Sequence, residues 1–161
     1  MPSATPSPLA RDERTFVRLS LRLLTTARLI ERRVDQLMRA RFGASLSRFD
    51  FMAALDRHGA LTLSAISENL LVSNGNVTAL TARLRADGLI ETVQCADDRR
   101  TQTVRLTAKG RTLFRKMAKA HASTVAAMLS TVPANARMEL GQLLDDVRTS
   151  VRRSLSEEDA A

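Results

Sequence analysis

Cysteine and aromatic side chains are scarce in this 161-residue sequence. Cys95 is its one cysteine, which excludes an internal disulfide framework and a thiolate zinc cluster. Trp and Tyr are absent and only five Phe residues occur, which argues against binding of single-stranded nucleic acid on aromatic stacking platforms. If the partner is a nucleic acid, duplex recognition by helices and arginines is the better interpretation.

Targeting and catalytic patterns are missing as well. No apolar run approaches the roughly 18 residues that a membrane span needs, and residues 1–10 lack the apolar block of a secretory signal. His58 and His121 lie far apart in the chain and outside any nucleophile or metal pattern, and no glycine-rich phosphate loop occurs. We therefore expect a cytoplasmic protein that is not an enzyme, with no membrane partner, no catalytic residue, no metal and no cofactor.

Positive charge is plentiful. Lys and Arg number 25 against 17 Asp and Glu, for a formal net charge of +8, which is typical of proteins that bind a polyanion. Lysine occurs only at Lys109, Lys116 and Lys119, so arginine carries most of this charge. A high-GC genome also enriches arginine, and the argument therefore depends on where the arginines lie.

The first half of the chain shows helical periodicity. Residues 11–42 contain neither proline nor glycine, and apolar residues recur every three or four positions, which predicts one long amphipathic helix that ends at Gly43. A second helix is predicted over residues 47–57, and two short helices over 62–70 and 73–87, with Ser73 as an N-cap. Two helices joined by so short a turn are typical of a helix-turn-helix.

The chain then changes period. Residues 89–94 and 101–106 resemble strands, and the polar, charged loop between them predicts a β-hairpin with a basic tip. Such a hairpin directly after a helix-turn-helix is a wing. Thr107 is expected to cap a helix that Pro133 breaks, and a final helix starts near Asn135. The predicted fold is mainly α: a winged helix-turn-helix with a short β-hairpin wing and terminal helices that form a dimerisation region.

These patterns divide the chain into segments without a second domain. We expect a disordered leader at 1–10, an N-terminal dimerisation helix at 11–46, a winged helix-turn-helix DNA-binding region at 47–106, C-terminal dimerisation helices at 107–156 and a frayed acidic tail at 157–161. The first and last helices carry apolar seams that would form a large exposed patch if unpaired. A two-fold homodimer would bury them. The alternative is that these helices fold back on their own chain.

The wing region resembles the MarR-type winged-helix regulators. The resemblance rests on residues 98–107 (DRRTQTVRLT) followed by Gly110, which fit the wing pattern of that family, and on the helix order of residues 15–155. It implies a dimeric DNA-binding repressor without catalysis. A narrower likeness to the branch that controls aromatic-acid (hydroxycinnamate) catabolism is carried by short stretches that include residues 22–24, 29–31, 48–50, 54–57 and 72–78. That branch is relieved by aromatic acyl-CoA thioesters or free aromatic acids.

The expected DNA contacts come from the helix that begins at Ser73 and from the wing. Small hydroxyl and amide side chains suit base edges and phosphates, and the free N–H groups of a helix start favour a phosphate. The candidates on this helix are Ser73, Asn74, Asn76 and Thr78, with Thr81 and Arg83 for the DNA backbone. The resemblance gives Arg100 the role of entering the minor groove, beside Arg99, with Asp98 orienting the loop. The alternatives are that Ser73 and Asn74 only cap the helix and that the wing tip is a solvated turn.

A small-molecule effector would bind where the dimer helices meet the winged lobe. The candidate anion contacts are Arg22, Arg39, Arg48 and His121, and the candidate contacts to an aromatic ring are Phe49 and Met52. We expect an aromatic acid or its CoA thioester. Two alternatives remain open at this point: oxidant sensing through Cys95, and a DNA-binding protein without effector control.

Overall fold

A computed structural model describes residues 11–70, 73–94 and 102–158 of the chain. Within these ranges the backbone forms helices and one two-stranded antiparallel sheet. In chain order the elements are α1 (Arg11–Phe42), α2 (Leu46–His58), α3 (Leu63–Leu70), α4 (Asn74–Ala86), β1 (Ile90–Gln94), β2 (Gln102–Leu106), α5 (Ala108–Met128) and α6 (Ala134–Glu158). This is the predicted order. The leader predicted at residues 1–10 lies outside the described residues.

The chain divides into two compact units, Met1–Thr124 and Val125–Ala161. The first contains α1 to β2 and most of α5, and the second contains the end of α5 and α6. No helix in the described ranges has both the length and the hydropathy of a membrane span.

Helix α2 lies at the centre of the first unit. Ser45 caps it by accepting a hydrogen bond from the amide of Arg48, and Gly59 ends it with a φ of 79°. Its buried side chains include Phe51 and Met52, both with no exposed surface. The second half of α1 packs into the same core through Val34, Leu37 and Met38. The helix predicted over residues 47–57 is confirmed and is one residue longer at each end.

Helices α3 and α4 form the predicted helix-turn-helix. Thr62 Oγ1 accepts a hydrogen bond from the amide of Ala65 at 3.1 Å and thereby caps α3. Ser73 caps α4 by accepting from the amide of Asn76, as the sequence predicts. Ile66 of α3 and Val77 and Leu84 of α4 are fully buried and orient the two helices.

The β-hairpin follows α4 directly. Its register pairs Ile90 with Leu106 and Gln94 with Gln102, so the hairpin predicted from the change of period is confirmed. Leu61, just before α3, exchanges two backbone hydrogen bonds with Val104 at 3.0 and 2.8 Å. This bridge fastens the start of the helix-turn-helix to the hairpin.

The cap of α5 joins this helix to the end of α4. Thr107 Oγ1 accepts a hydrogen bond from the amide of Gly110 at 3.0 Å and donates one to the carbonyl oxygen of Gly88 at 2.8 Å. The sequence predicted this cap. Gly88 itself has a φ of 68°, a conformation that favours glycine after a helix.

Long apolar faces remain exposed on the terminal helices. Along α1 the exposed apolar side chains include Phe16, Val17, Leu19, Leu21, Leu24 and Leu29. In α6 they include Leu140, Leu143, Leu144, Val147, Val151 and Leu155. Helix α6 also continues through Glu158, two residues into the segment predicted as a frayed tail.

Candidate nucleic-acid interface

The start of α4 presents small polar side chains to solvent. Ser73, Gly75, Asn76 and Thr78 are exposed, whereas Val77 beside them is 1% exposed and belongs to the core. The first amides of a helix lack intrahelical acceptors and carry the positive end of the helix dipole, so this end suits a phosphate or another anion. The Asn74 side chain, also predicted as a contact, lies outside the described part of the structure.

The prediction of a DNA contact for Thr81 is wrong. Thr81 is 4% exposed, and its hydroxyl donates a hydrogen bond to the carbonyl oxygen of Val77 at 2.8 Å. The side chain therefore faces the core, and its polar group is satisfied inside the helix. Arg83, two residues further on, is exposed as its predicted role requires.

Three contacts hold the C-terminal end of α4, and sequence reasoning missed all of them. Arg48 of α2 forms an ion pair with the carboxylate of Asp87 at 2.7 Å. Lys109 of α5 donates to the carbonyl oxygen of Asp87 at 2.7 Å, and Arg85 donates to Thr92 Oγ1 of β1 at 2.6 Å. The two partners of each contact belong to different elements, so no local pattern indicates them. Together they fix α4 to α2, α5 and the hairpin.

The hairpin carries a further cross-strand ion pair. Arg105 Nε lies 2.8 Å from the carboxylate of Glu91, its directly paired neighbour. The wing-tip residues predicted to contact DNA, Asp98, Arg99 and Arg100, lie outside the described residues, as does Cys95. The strands that lead to this tip start directly after α4 and return to α5.

Two of the predicted effector residues lie close together. The ring centroids of Phe49 and His121 are 4.9 Å apart, and Phe114 stacks on Phe49 at 5.6 Å. Burial lowers the pKa of His121 below its usual range. At neutral pH this histidine is therefore uncharged, and it would meet a ligand as a hydrogen-bonding group rather than as a cation.

The remaining effector candidates are placed differently. Met52 has no exposed surface and is a core residue, so the prediction that it contacts an aromatic ring is wrong. Arg39 pairs with Asp35 at 2.6 Å, and this hydrogen bond, together with one from the amide of Leu46, lowers the pKa of Asp35. Arg48 is committed to Asp87, although its Nε atom is buried without a hydrogen-bond partner. Arg22 is exposed on α1.

The helix-turn-helix, the hairpin that follows it and the exposed end of α4 define a winged helix fold. Residues 45–101 match the model of the MarR family. The chain is 31% identical over 107 residues to the uncharacterized HTH-type transcriptional regulator YfiV of Bacillus subtilis, and the match covers 66% of this chain and 64% of that protein. It is 28% identical over 122 residues to the HTH-type transcriptional regulator PecS of Dickeya dadantii, with 74% and 73% covered. The match thus spans less than two thirds of the length of the first relative and less than three quarters of the second.

Solved structures show the same fold. A MarR family transcriptional regulator from Silicibacter pomeroyi is 28% identical with a TM-score of 0.74, and the match covers 89% of this chain and 99% of that one. FabT of Streptococcus pneumoniae, solved in complex with DNA, is 23% identical with a TM-score of 0.72 and covers 86% and 98%. The chain is thus similar in sequence and fold to MarR family transcriptional regulators, and the matched relatives are regulators.

Proposed function

We propose that this chain is a transcriptional repressor that binds duplex DNA in the cytoplasm through α4 and the hairpin. The observation that carries this proposal is the exposed polar start of α4, a helix whose other end is joined to the hairpin by the hydrogen bond from Arg85 to Thr92. Ser73, Asn74, Asn76 and Thr78 would contact the major groove, and Arg83 the phosphate backbone. FabT, which shares this fold, has been solved with DNA bound.

The second part of the proposal is that the protein acts as a homodimer. The exposed apolar side chains of α1 and α6 support it, because a monomer would leave them in water. Two copies of α4 related by a two-fold axis require an inverted-repeat operator, with half-sites about 10 bp apart from centre to centre. Occupation of such a site near a promoter would repress transcription without catalysis.

The third part concerns the effector. We infer an aromatic acid or an aromatic acyl-CoA thioester of the hydroxycinnamoyl type, bound near the ring pair of Phe49 and His121. Among the arginines predicted for its negative charges, Arg22 is exposed, whereas Arg39 and Arg48 would have to exchange their partners Asp35 and Asp87 for the ligand. An effector that binds only a conformer with displaced α4 helices would lower DNA affinity by linkage.

A fluorescence-anisotropy titration tests these parts in turn. The probe is the intergenic DNA upstream of the protein's own gene, at fixed salt and with excess competitor DNA. Addition of p-coumaroyl-CoA or p-coumarate to the complex is expected to release the DNA at micromolar concentration. If thiol oxidants release the DNA and Cys95→Ser abolishes this release, the result would favour an oxidant sensor instead. Tight DNA binding without any release would favour a protein without effector control.

Replacement of Arg100 is the sharpest test of the wing. Arg100→Ala is expected to weaken operator binding by about 1–3 kcal/mol, or roughly 5- to 150-fold, because it removes a guanidinium from the minor groove. The same titration measures this loss. Arg115→Ala, an exposed arginine of α5, is the control for the change of net charge. Equal affinities for Arg100→Ala and wild type, with the circular dichroism melt unchanged, would contradict the proposed wing contact.

A further inference from the structure

A second candidate ligand site lies between α2 and α4. A cavity of about 380 Å³ opens there, with an accessible apolar lining that includes Leu70, Ala79 and Leu80. Its polar lining includes Ser45 and Ser47 from the start of α2. The volume falls in the range of small-molecule sites, roughly 300–1,000 Å³. None of the predicted effector residues lines this cavity, so it is separate from the ring pair of Phe49 and His121.

Asp50 is the one carboxylate among the lining residues of this cavity. It is half-buried and has no hydrogen bond or ion pair within the described parts of the chain. Burial, followed by the negative charge of Glu31 on α1, raises its pKa to about 6. Arg83 lies at the exposed edge of the cavity, where water screens its charge. Asp50 is therefore a carboxylate that would gain from a positive partner.

We propose that this cavity binds a small organic cation whose ammonium group pairs with Asp50 and whose aromatic body covers Leu70, Ala79 and Leu80. An ammonium forms charge-assisted hydrogen bonds to a carboxylate and has no acceptor of its own. The hydroxyls of Ser45 and Ser47 provide further acceptors in the same lining. An anionic aromatic ligand would instead meet the repulsion of Asp50 and Glu31.

The position of the cavity couples its occupant to DNA. Asn76 and Arg83, two candidate DNA contacts, also line it. A bound cation would compete with DNA for these side chains directly, without a change in the dimer. This regulatory consequence rests on the proposed DNA binding, whereas the ligand site itself does not.

Tryptamine is a suitable probe because the protein contains neither Trp nor Tyr, so indole fluorescence reports the ligand alone. Its anisotropy is titrated with the full chain and compared with neutral 3-methylindole and anionic indole-3-acetate. We expect saturable binding of tryptamine and at least tenfold weaker binding of the other two. Asp50→Asn is expected to weaken tryptamine binding about tenfold or more, because it removes the charge from one hydrogen bond. Asp56→Asn, an exposed carboxyl of the same helix, is the matched control and should bind as wild type does.

Equal binding of the neutral or anionic compound, or unchanged binding by Asp50→Asn, would overturn the site. A second measurement needs no substitution: NMR of the Asp50 carboxyl carbon during a pH titration, with and without saturating tryptamine. A paired ammonium must lower the pKa of Asp50 from its value in the free protein, and an unchanged pKa would overturn the pairing.

The two proposals fail in distinguishable ways. Tryptamine binding without specific DNA binding would retain the cation site and refute the repressor. Specific DNA binding without tryptamine binding would retain the repressor and refute the cation site. If both bind but tryptamine does not release the DNA, the competition at Asn76 and Arg83 is refuted.

Discussion

Gly110→Ala is expected to lower the free energy of unfolding by about 3 kcal/mol, the upper end of the usual cost of overpacking. A Cβ on Gly110 would overlap the carbonyl oxygen of Leu89 and would lie 3.3 Å from Leu106 Cδ2. The oxygen belongs to the backbone and accepts a hydrogen bond from the amide of Thr107, so it cannot rotate away as a side chain would. Helix α5 must therefore separate from the start of the hairpin.

Thermal unfolding followed by circular dichroism measures this effect. A loss of about 3 kcal/mol corresponds to a decrease in Tm of roughly 6–12 °C for a chain of this size. Gly141→Ala is the matched control, because it makes the same change in helix α6, where an added Cβ meets no atom within 4 Å. That control is expected to stabilise the protein by about 0.5–1 kcal/mol. A Gly110→Ala protein as stable as wild type would contradict the close contact between α5 and Leu89.

The double variant Leu144→Glu, Val151→Glu is expected to convert the proposed dimer into a monomer and to weaken operator binding by about 100-fold or more. Leu144 and Val151 are 44% and 54% exposed on one face of α6, together with Leu140, Val147 and Leu155. In a dimer this face would be buried, and two carboxylates placed there would have to lose their water. A monomer engages only one half-site. It therefore loses the gain in affinity that comes from two linked binding sites, which is about 10²- to 10⁴-fold.

Sedimentation equilibrium measures the mass, and the anisotropy titration measures the affinity. The control Gln142→Glu, Thr149→Glu adds the same two charges to the opposite face of α6. It should remain dimeric and should lose only the small affinity expected from a more negative surface. A Leu144→Glu, Val151→Glu protein that stays dimeric would show that this face of α6 is not the dimer interface.

The helices and the hairpin could be predicted because their signals are local. Ser73 and Thr107 are caps next to a periodic run, and the change from helical to alternating periodicity marks the hairpin. The error at Thr81 was avoidable on the same grounds. Val77, Thr81 and Leu84 are four and three residues apart, so they share one stripe of α4, and two of the three are apolar. A threonine on that stripe is a core residue.

Other features could not be predicted in this way. The buried side chains of α2 include Phe49, Phe51, Met52 and Leu55, which are not confined to one stripe, so periodicity cannot separate a ligand contact from a core residue such as Met52. The ion pair of Arg48 with Asp87 joins residues that are distant in the chain and form no motif. The need for glycine at position 110 follows from Leu89, a neighbour that only the folded backbone brings close.

Contacts to α2 and α5 fix α4 at Asp87, so the helix acts as a lever that pivots there and carries its base-facing start at the far end. Asn76 lies eleven residues from Asp87, or roughly 16 Å at 1.5 Å per residue. A tilt of α4 by about 10° about Asp87 would move Asn76 sideways by about 3 Å. Protein hydrogen bonds tolerate a variation of only about 0.5 Å. A perturbation of a few degrees around Arg48, Asp87 and Lys109 would therefore suffice to take the start of α4 out of register with the bases.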